Sequence, residues 1–124
     1  MVRKTEDMEN LGQHILLDLY NCRNTSPDKT SQQLEVFEHG LRLGNFTVLD
    51  SFYHEFEPQG ISGVFVLAES HLSFHIWAEL GFASIDIYWC GSKCNEQELI
   101  NMVCDYFRPE SVDYKYFKRG FCKQ

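Results

Sequence analysis

Positive charge is scarce: Lys and Arg together number 11 against 18 Asp and Glu, a formal charge of −7 over 124 residues. Phosphate backbones are bound by clustered cations, so this deficit argues against a nucleic-acid partner. Long apolar runs are missing as well. Nothing approaches the ~20 residues needed to span a bilayer. The amino terminus, M-V-R-K-T-E-D-M-E-N, has no apolar segment of signal-peptide length, so neither a membrane role nor export is expected. A disulfide framework is also lacking. The five cysteines, Cys22, Cys90, Cys94, Cys104 and Cys122, are odd in number and irregularly spaced, which fits a reduced, cytoplasmic compartment. There is no internal repeat and no low-complexity tract.

What is present points to one folded unit. Apolar residues make up 44% of the chain, including ten Phe, six Tyr and two Trp, a composition that excludes disorder. The length suits a single domain spanning residues 1–124 with its own core. Residues 1–10 are expected to form a flexible tail.

Hydrophobic periodicity then orders the elements. Ile15, Leu17 and Leu19 recur at period two within Gly12–Cys22, which reads as a first strand with one buried face. After the polar turn N-T-S-P-D-K-T, Thr30 and Gln33 have capping-box spacing. Leu34, Phe37 and Leu41 follow at intervals of three and four, predicting a helix over Ser31–Leu43 that stops at Gly44. Strands are expected over Phe46–Phe56, Gly63–Ala68, His71–Trp77 and Ala83–Cys90, the nearly all-apolar Gly63–Ala68 being covered on both faces. Asn95 and Glu98 repeat the capping spacing before Leu99, Met102, Val103 and Tyr106, a second helix ended by Arg108-Pro109. Val112–Phe117 alternates as a last strand. The order β-α-β-β-β-β-α-β predicts an α+β fold: a two-layer sandwich in which a largely antiparallel sheet carries two helices on one face.

The chemistry-bearing window is Phe56–Gly91. His71 and His75 would face the same way on a strand, but no third ligand stands at metal-binding spacing, so no metal site is expected. C-G-S-K-C at Cys90–Cys94 lacks the two-residue spacing of redox and zinc motifs, and A-E-S-H-L around Ser70 lacks the glycines of a serine-hydrolase elbow. From pattern alone Ser70 is a strand-end hydroxyl, Cys90 a packed thiol, Phe56 and Trp77 core aromatics, and Glu79 a solvated charge.

The string A-E-S-H-L-S-F-H-I-W-A-E at Ala68–Glu79 closely resembles the self-processing site of the short bacterial and archaeal S-adenosylmethionine decarboxylases, pyruvoyl enzymes of polyamine synthesis. Four further pieces match in order: L-G-Q-H-I-L-L-D-L-Y-N-C at Leu11–Cys22, F-E-P-Q-G-I-S-G at Phe56–Gly63, D-I-Y-W-C-G ending at Gly91, and R-G at Arg119-Gly120. The resemblance implies that Ser70 attacks the carbonyl of Glu69 and that β-elimination then turns Ser70 into a pyruvoyl group. The products are a β chain of residues 1–69 and an α chain of residues 70–124. Such chemistry has a reason. Decarboxylating an α-amino acid leaves a carbanion that no ordinary side chain accepts, whereas a carbonyl conjugated through a Schiff base does.

By the same resemblance His75 and Ser62 match processing positions, and Cys90 matches the proton donor, a thiol being mostly protonated at neutral pH. Phe56 and Trp77 would stack on the substrate and meet its sulfonium, and Glu79 would accept ribose hydroxyls. A dimer of αβ units is implied, with sites sharing residues across the interface. Ser70 and His75 have opposite strand parity, so the chain is expected to kink between them or to separate after cleavage.

The family pattern H-T-W-P-E reads His75-Ile76-Trp77-Ala78-Glu79 here, removing a hydroxyl and a proline beside residues expected to meet substrate. Two alternatives therefore stand beside S-adenosylmethionine. One is the same chemistry on ornithine or arginine. The other is an unprocessed regulatory homologue, which need not have kept Glu69, Ser70, His75 and Cys90.

Overall fold

The computed structural model describes residues 8–123, with side chains described over residues 11–120. The chain runs β1 (Met8–Tyr20), α1 (Thr30–Leu43), β2 (Val48–Glu55), β3 (Ile61–Leu67), β4 (Ser70–Trp77), β5 (Phe82–Trp89), α2 (Glu96–Phe107) and β6 (Ser111–Lys123), with 3-10 turns at Pro27–Lys29 and Ala78–Leu80. The strands form a six-stranded sheet in the order β2-β3-β4-β5-β1-β6, and every neighbouring pair is antiparallel. This is the expected α+β sandwich.

Period-two alternation builds the core. Ile15, Leu17 and Leu19 of β1, Leu72, Phe74 and Ile76 of β4, and Ile85, Ile87 and Trp89 of β5 point to one side, where they meet Phe37 and Leu41 of α1 and Leu99, Val103 and Phe107 of α2. Phe37 ties the layers together. Its ring stacks on Phe74 at 4.5 Å and packs against Phe65 at 6.3 Å and Phe107 at 6.0 Å. Gly63 is required by this packing, since a Cβ there would lie 2.5 Å from Cζ of Phe74 on the neighbouring strand.

The structure changes several expectations. Residues 1–7 of the expected tail lie outside the described residues, while residues 8–10 belong to β1, where Met8 pairs with Lys123. The capping box at the start of α1 is not formed. Lys29 occupies the cap position without a side-chain bond, and the buried Gln33 donates from Nε2 to the carbonyls of Asn24 at 2.8 Å and Ser26 at 3.1 Å. That amide closes the preceding loop instead of reaching back to the helix start. At α2 only half of the expected box forms: Asn95 caps the helix, accepting from the Gln97 N–H at 3.2 Å, while its own N–H donates to the Gly44 carbonyl at 2.8 Å and not to Glu98.

β6 continues past Phe117 to Lys123 because it pairs along nearly all of β1. Strand β3 is not covered on both faces, for Val66 stays 37% exposed. Both helices lie on the other side of the sheet, so the second face is open. Across it run the paired rows Ser62–His75–Ser84–Asp18–Asp113 and Val66–His71–Tyr88–His14–Phe117.

Candidate active site

The β3–β4 hairpin carries the Glu69–Ser70 peptide. Leu67 pairs with Ser70, leaving Ala68-Glu69 as a two-residue turn. Ser70 has φ +151°, a backbone region that a side-chain-bearing residue adopts at a cost of about 1–3 kcal/mol. Hydrogen bonds from two directions hold the turn in this geometry. Thr47 accepts from the Ala68 N–H at 2.9 Å through its carbonyl. It also donates to both carboxylate oxygens of Glu69, from its N–H at 2.9 Å and its hydroxyl at 3.1 Å. From β5, whose Trp89 pairs with Ser70, the next residue, Cys90, donates to the Glu69 carbonyl from its N–H at 3.1 Å and its thiol at 3.3 Å.

The carbonyl that Ser70 would attack therefore sits between two donors, the arrangement that stabilises an oxyanion. Ser70 Oγ itself lies 3.3 Å from His71 Nδ1. Beside the turn opens a cavity of about 450 Å³ lined by Thr47, Glu69, Cys90, Lys93 and Cys94. Burial raises the Cys94 thiol above its ordinary pKa, with the Glu69 carboxylate adding to the shift.

A second cluster occupies the other end of the same hairpin. Ser62 and His75 are direct cross-strand partners, and Ser62 Oγ hydrogen-bonds His75 Nδ1. The His75 ring lies 3.9 Å from Trp77 and 5.8 Å from Phe56, the latter 42% exposed. Glu79 follows, exposed, in the Ala78–Leu80 turn. Ile76 points the opposite way and is fully buried against the helices, so its departure from the family pattern does not touch this face. Ala78 replaces the expected proline within the 3-10 turn, where its carbonyl accepts from the Thr25 hydroxyl at 3.2 Å.

Glu69, Ser70 and Cys90 are thus brought together, and so are Ser62, His75, Phe56 and Trp77, with Glu79 one turn beyond. The two groups do not meet within one chain. Ser70 and His75 are separated by five residues of unbroken strand, roughly 17 Å. The kink expected between them is absent, and the backbone distortion sits at Ser70 itself. His71 and His75 share the open face but lie roughly 13 Å apart along the strand, too far to share an ion.

Sequence reading missed Thr47, which is distant in sequence from the turn it grips, and it weighed His71 only as a metal ligand. It also passed over a basic row beside the β3–β4 turn. Arg119 donates to His14 Nδ1 at 3.0 Å and lies over the Tyr88 ring at 5.5 Å. Tyr88 also meets the His71 ring at 5.8 Å in a T-shaped contact. Desolvation lowers the His14 pKa, with the Arg119 charge adding to this and Asp86 opposing it. Gly12 makes room for the row, since a Cβ there would lie 2.5 Å from the Tyr88 ring. The signal for His14 and Arg119 was available, because both fall within pieces that match the family, Leu11–Cys22 and Arg119-Gly120.

Comparison with known proteins agrees with this geometry. The family described as S-adenosylmethionine decarboxylase matches residues 13–120. A protein named S-adenosylmethionine decarboxylase proenzyme from Picrophilus torridus is 37% identical over 110 residues, covering 89% of this chain and 85% of that protein. One of the same name from Methanococcus aeolicus is 35% identical over 113 residues, covering 91% and 97%. The crystal structure of adenosylmethionine decarboxylase from Aquifex aeolicus superposes with a TM-score of 0.83 at 33% identity, covering 94% of this chain and 96% of that one. With the match running from β1 to β6 and through both residue clusters, the chain belongs to the S-adenosylmethionine decarboxylase family.

Proposed function

We propose that this chain is the precursor of a pyruvoyl-dependent S-adenosylmethionine decarboxylase, a carboxy-lyase that matures by cutting itself between Glu69 and Ser70. One observation carries the reading: the Glu69 carbonyl is held by the Cys90 N–H and thiol while the next residue, Ser70, is strained at φ +151°. Attack by Ser70 Oγ places negative charge on that carbonyl oxygen, where both donors already point. Collapse moves the Glu69 acyl group from nitrogen to oxygen, which also relieves the backbone at Ser70. Elimination then separates a β chain of residues 1–69 from an α chain of residues 70–124. The residues present fit a pyruvoyl group at position 70, and its carbonyl supplies the electron sink that decarboxylation requires. Cys90 Sγ, beside that position, holds the proton that replaces the lost carboxylate on the substrate carbon.

S-adenosylmethionine is a cation bearing adenine and ribose. Phe56 and Trp77 offer it a stacking and cation–π face, and Glu79 an acceptor for the ribose hydroxyls. Because this cluster and Ser70 stand at opposite ends of one open sheet face, two copies packed face to face about a two-fold axis complete the site. Ser62, His75, Phe56, Trp77 and Glu79 of one copy then meet Glu69, Ser70 and Cys90 of its partner, and His75 and Ser62 handle protons there. Apolar side chains on that face support the dimer, Phe52 being 60% and Phe117 47% exposed. The product is decarboxylated S-adenosylmethionine, the aminopropyl donor for spermidine synthesis. A cytoplasmic setting is supported by the irregular cysteines, while among the described residues no helix is long and apolar enough to cross a membrane.

Intact-mass spectrometry and substrate turnover test the reading. The matured protein is expected as two chains split between residues 69 and 70, the α chain reacting with carbonyl reagents, and Ser70→Ala is expected to stay whole and inactive. Labelled carbon dioxide should be released from S-adenosylmethionine and not from ornithine or arginine. A chain that keeps its full-length mass after maturation has had time to finish would sink the proposal.

A further inference from the structure

We propose that His71 is the base that takes the proton from Ser70 Oγ in the first step of self-cleavage, and the acid that returns it to the departing Ser70 nitrogen. The inference rests on the reading that the Glu69–Ser70 peptide is the bond cleaved. Geometry singles His71 out. Its Nδ1 lies 3.3 Å from Ser70 Oγ, within the slack that catalytic hydrogen bonds show before reaction. His75 of the same chain lies roughly 17 Å away along the strand, and its Nδ1 is already engaged by Ser62. Strand parity alone would put Ser70 on the helix side and His71 on the open side; the unusual φ of Ser70 coincides with its hydroxyl lying beside the His71 ring. That ring packs T-shaped against Tyr88 at 5.8 Å and 77°, and Tyr88 in turn meets the hydrogen-bonded His14–Arg119 pair.

With its proton on Nε2, the neutral imidazole accepts the Ser70 hydroxyl proton at Nδ1 as the Oγ–C bond to Glu69 forms. The carbonyl oxygen becomes an oxyanion on the Cys90 donors. As the C–N bond breaks, Nδ1 returns the proton to the Ser70 nitrogen. The result is an ester between Glu69 and Ser70 Oγ, a free amine at residue 70 and neutral His71. Loss of the Ser70 Cα proton in the later elimination requires a separate base, the place left for His75 of the partner copy.

Freshly translated full-length chains allow the test, with the extent of splitting followed by intact mass. His71→Ala is expected to split about 100-fold more slowly than the unaltered chain, the lower end of what a positioned base contributes. Imidazole in the buffer should restore the rate in proportion to its free base, which a packing defect would not show. His71→Asn keeps a polar side chain that cannot shuttle the proton, and it should be equally slow. If the alanine variant does not fold, the asparagine variant decides alone, with its melting midpoint as the control. Hydroxylamine, which cuts esters, should find no ester to cut in either variant. A His71 variant that splits at the unaltered rate, or that accumulates the hydroxylamine-labile ester, overturns the proposal. An unaltered chain that never splits instead overturns the underlying reading of the cleavage site.

Discussion

Thr47 bonds to the β3–β4 turn through its N–H, its carbonyl and its hydroxyl at once. A hydrogen bond to a charged acceptor contributes about 1.5–3 kcal/mol. If the hydroxyl's share is felt mainly when the turn must hold still for attack, removing it slows cleavage by roughly ten-fold for each 1.4 kcal/mol lost. Thr47→Val keeps the β-branched shape and the N–H bond while losing the hydroxyl. Its splitting is expected to slow by about ten-fold, with Thr47→Ser near the unaltered rate, both read by the rate at which full-length mass disappears. Residues of this kind were the least legible in the sequence. Only the family resemblance linked Ser62, outside the expected Gly63–Ala68 strand, with His75; period-two parity assigns a side chain no more than a face of the sheet. It says nothing about which distant backbone grips a turn, and Thr47 and Glu69 are joined only through the sheet. The φ of Ser70 was equally hidden, since a serine at a strand end gives no local sign of strain.

At the level of elements, helices and strands were legible wherever one face is buried, because burial is what imposes the period. Leu99 and Val103 on α2 and Ile15, Leu17 and Leu19 on β1 are all buried within one cluster. The reading failed where that rule has no purchase. Strand β6 is exposed along its length from Ser111 to Gly120, so its pairing with β1, and not any apolar stripe, extends it to Lys123. Strand β3 looked covered on both faces because its second face is apolar, yet no helix covers that side. Phe37 is the element-level keystone, fully buried where α1 meets β3, β4 and α2. Truncating such an aromatic leaves a cavity that costs about 3–5 kcal/mol. Phe37→Ala in the Ser70→Ala background, which keeps a single uncut chain, is expected to lose that much in urea unfolding at fixed protein concentration. A loss under about 1 kcal/mol would mean that the core closes over the gap.

For the whole molecule the decisive length is the roughly 17 Å of strand between Ser70 and His75. An unbroken β4 cannot bring them together within one chain, so the proposed site, if it uses both Ser70 and the His75–Trp77 cluster, takes them from two copies. A site built from two copies can be repaired by mixing defects. A chain carrying Ser70→Ala cannot be cut but still offers His75, whereas a chain carrying His75→Ala still offers Ser70 and Cys90. Alone, each is expected to remain largely whole. Co-expressed with distinguishable tags, they should form mixed dimers in which only the His75→Ala chain splits, because its Ser70 meets the intact His75 of its partner. Decarboxylation should return in step, at no more than one working site per mixed dimer, since the second site lacks both Ser70 and His75. Intact mass identifies which tagged chain has been cut. If the His75→Ala chain stays whole in verified mixed dimers, or if either variant chain alone matures at the unaltered rate, the two clusters do not act on one another across the open sheet face.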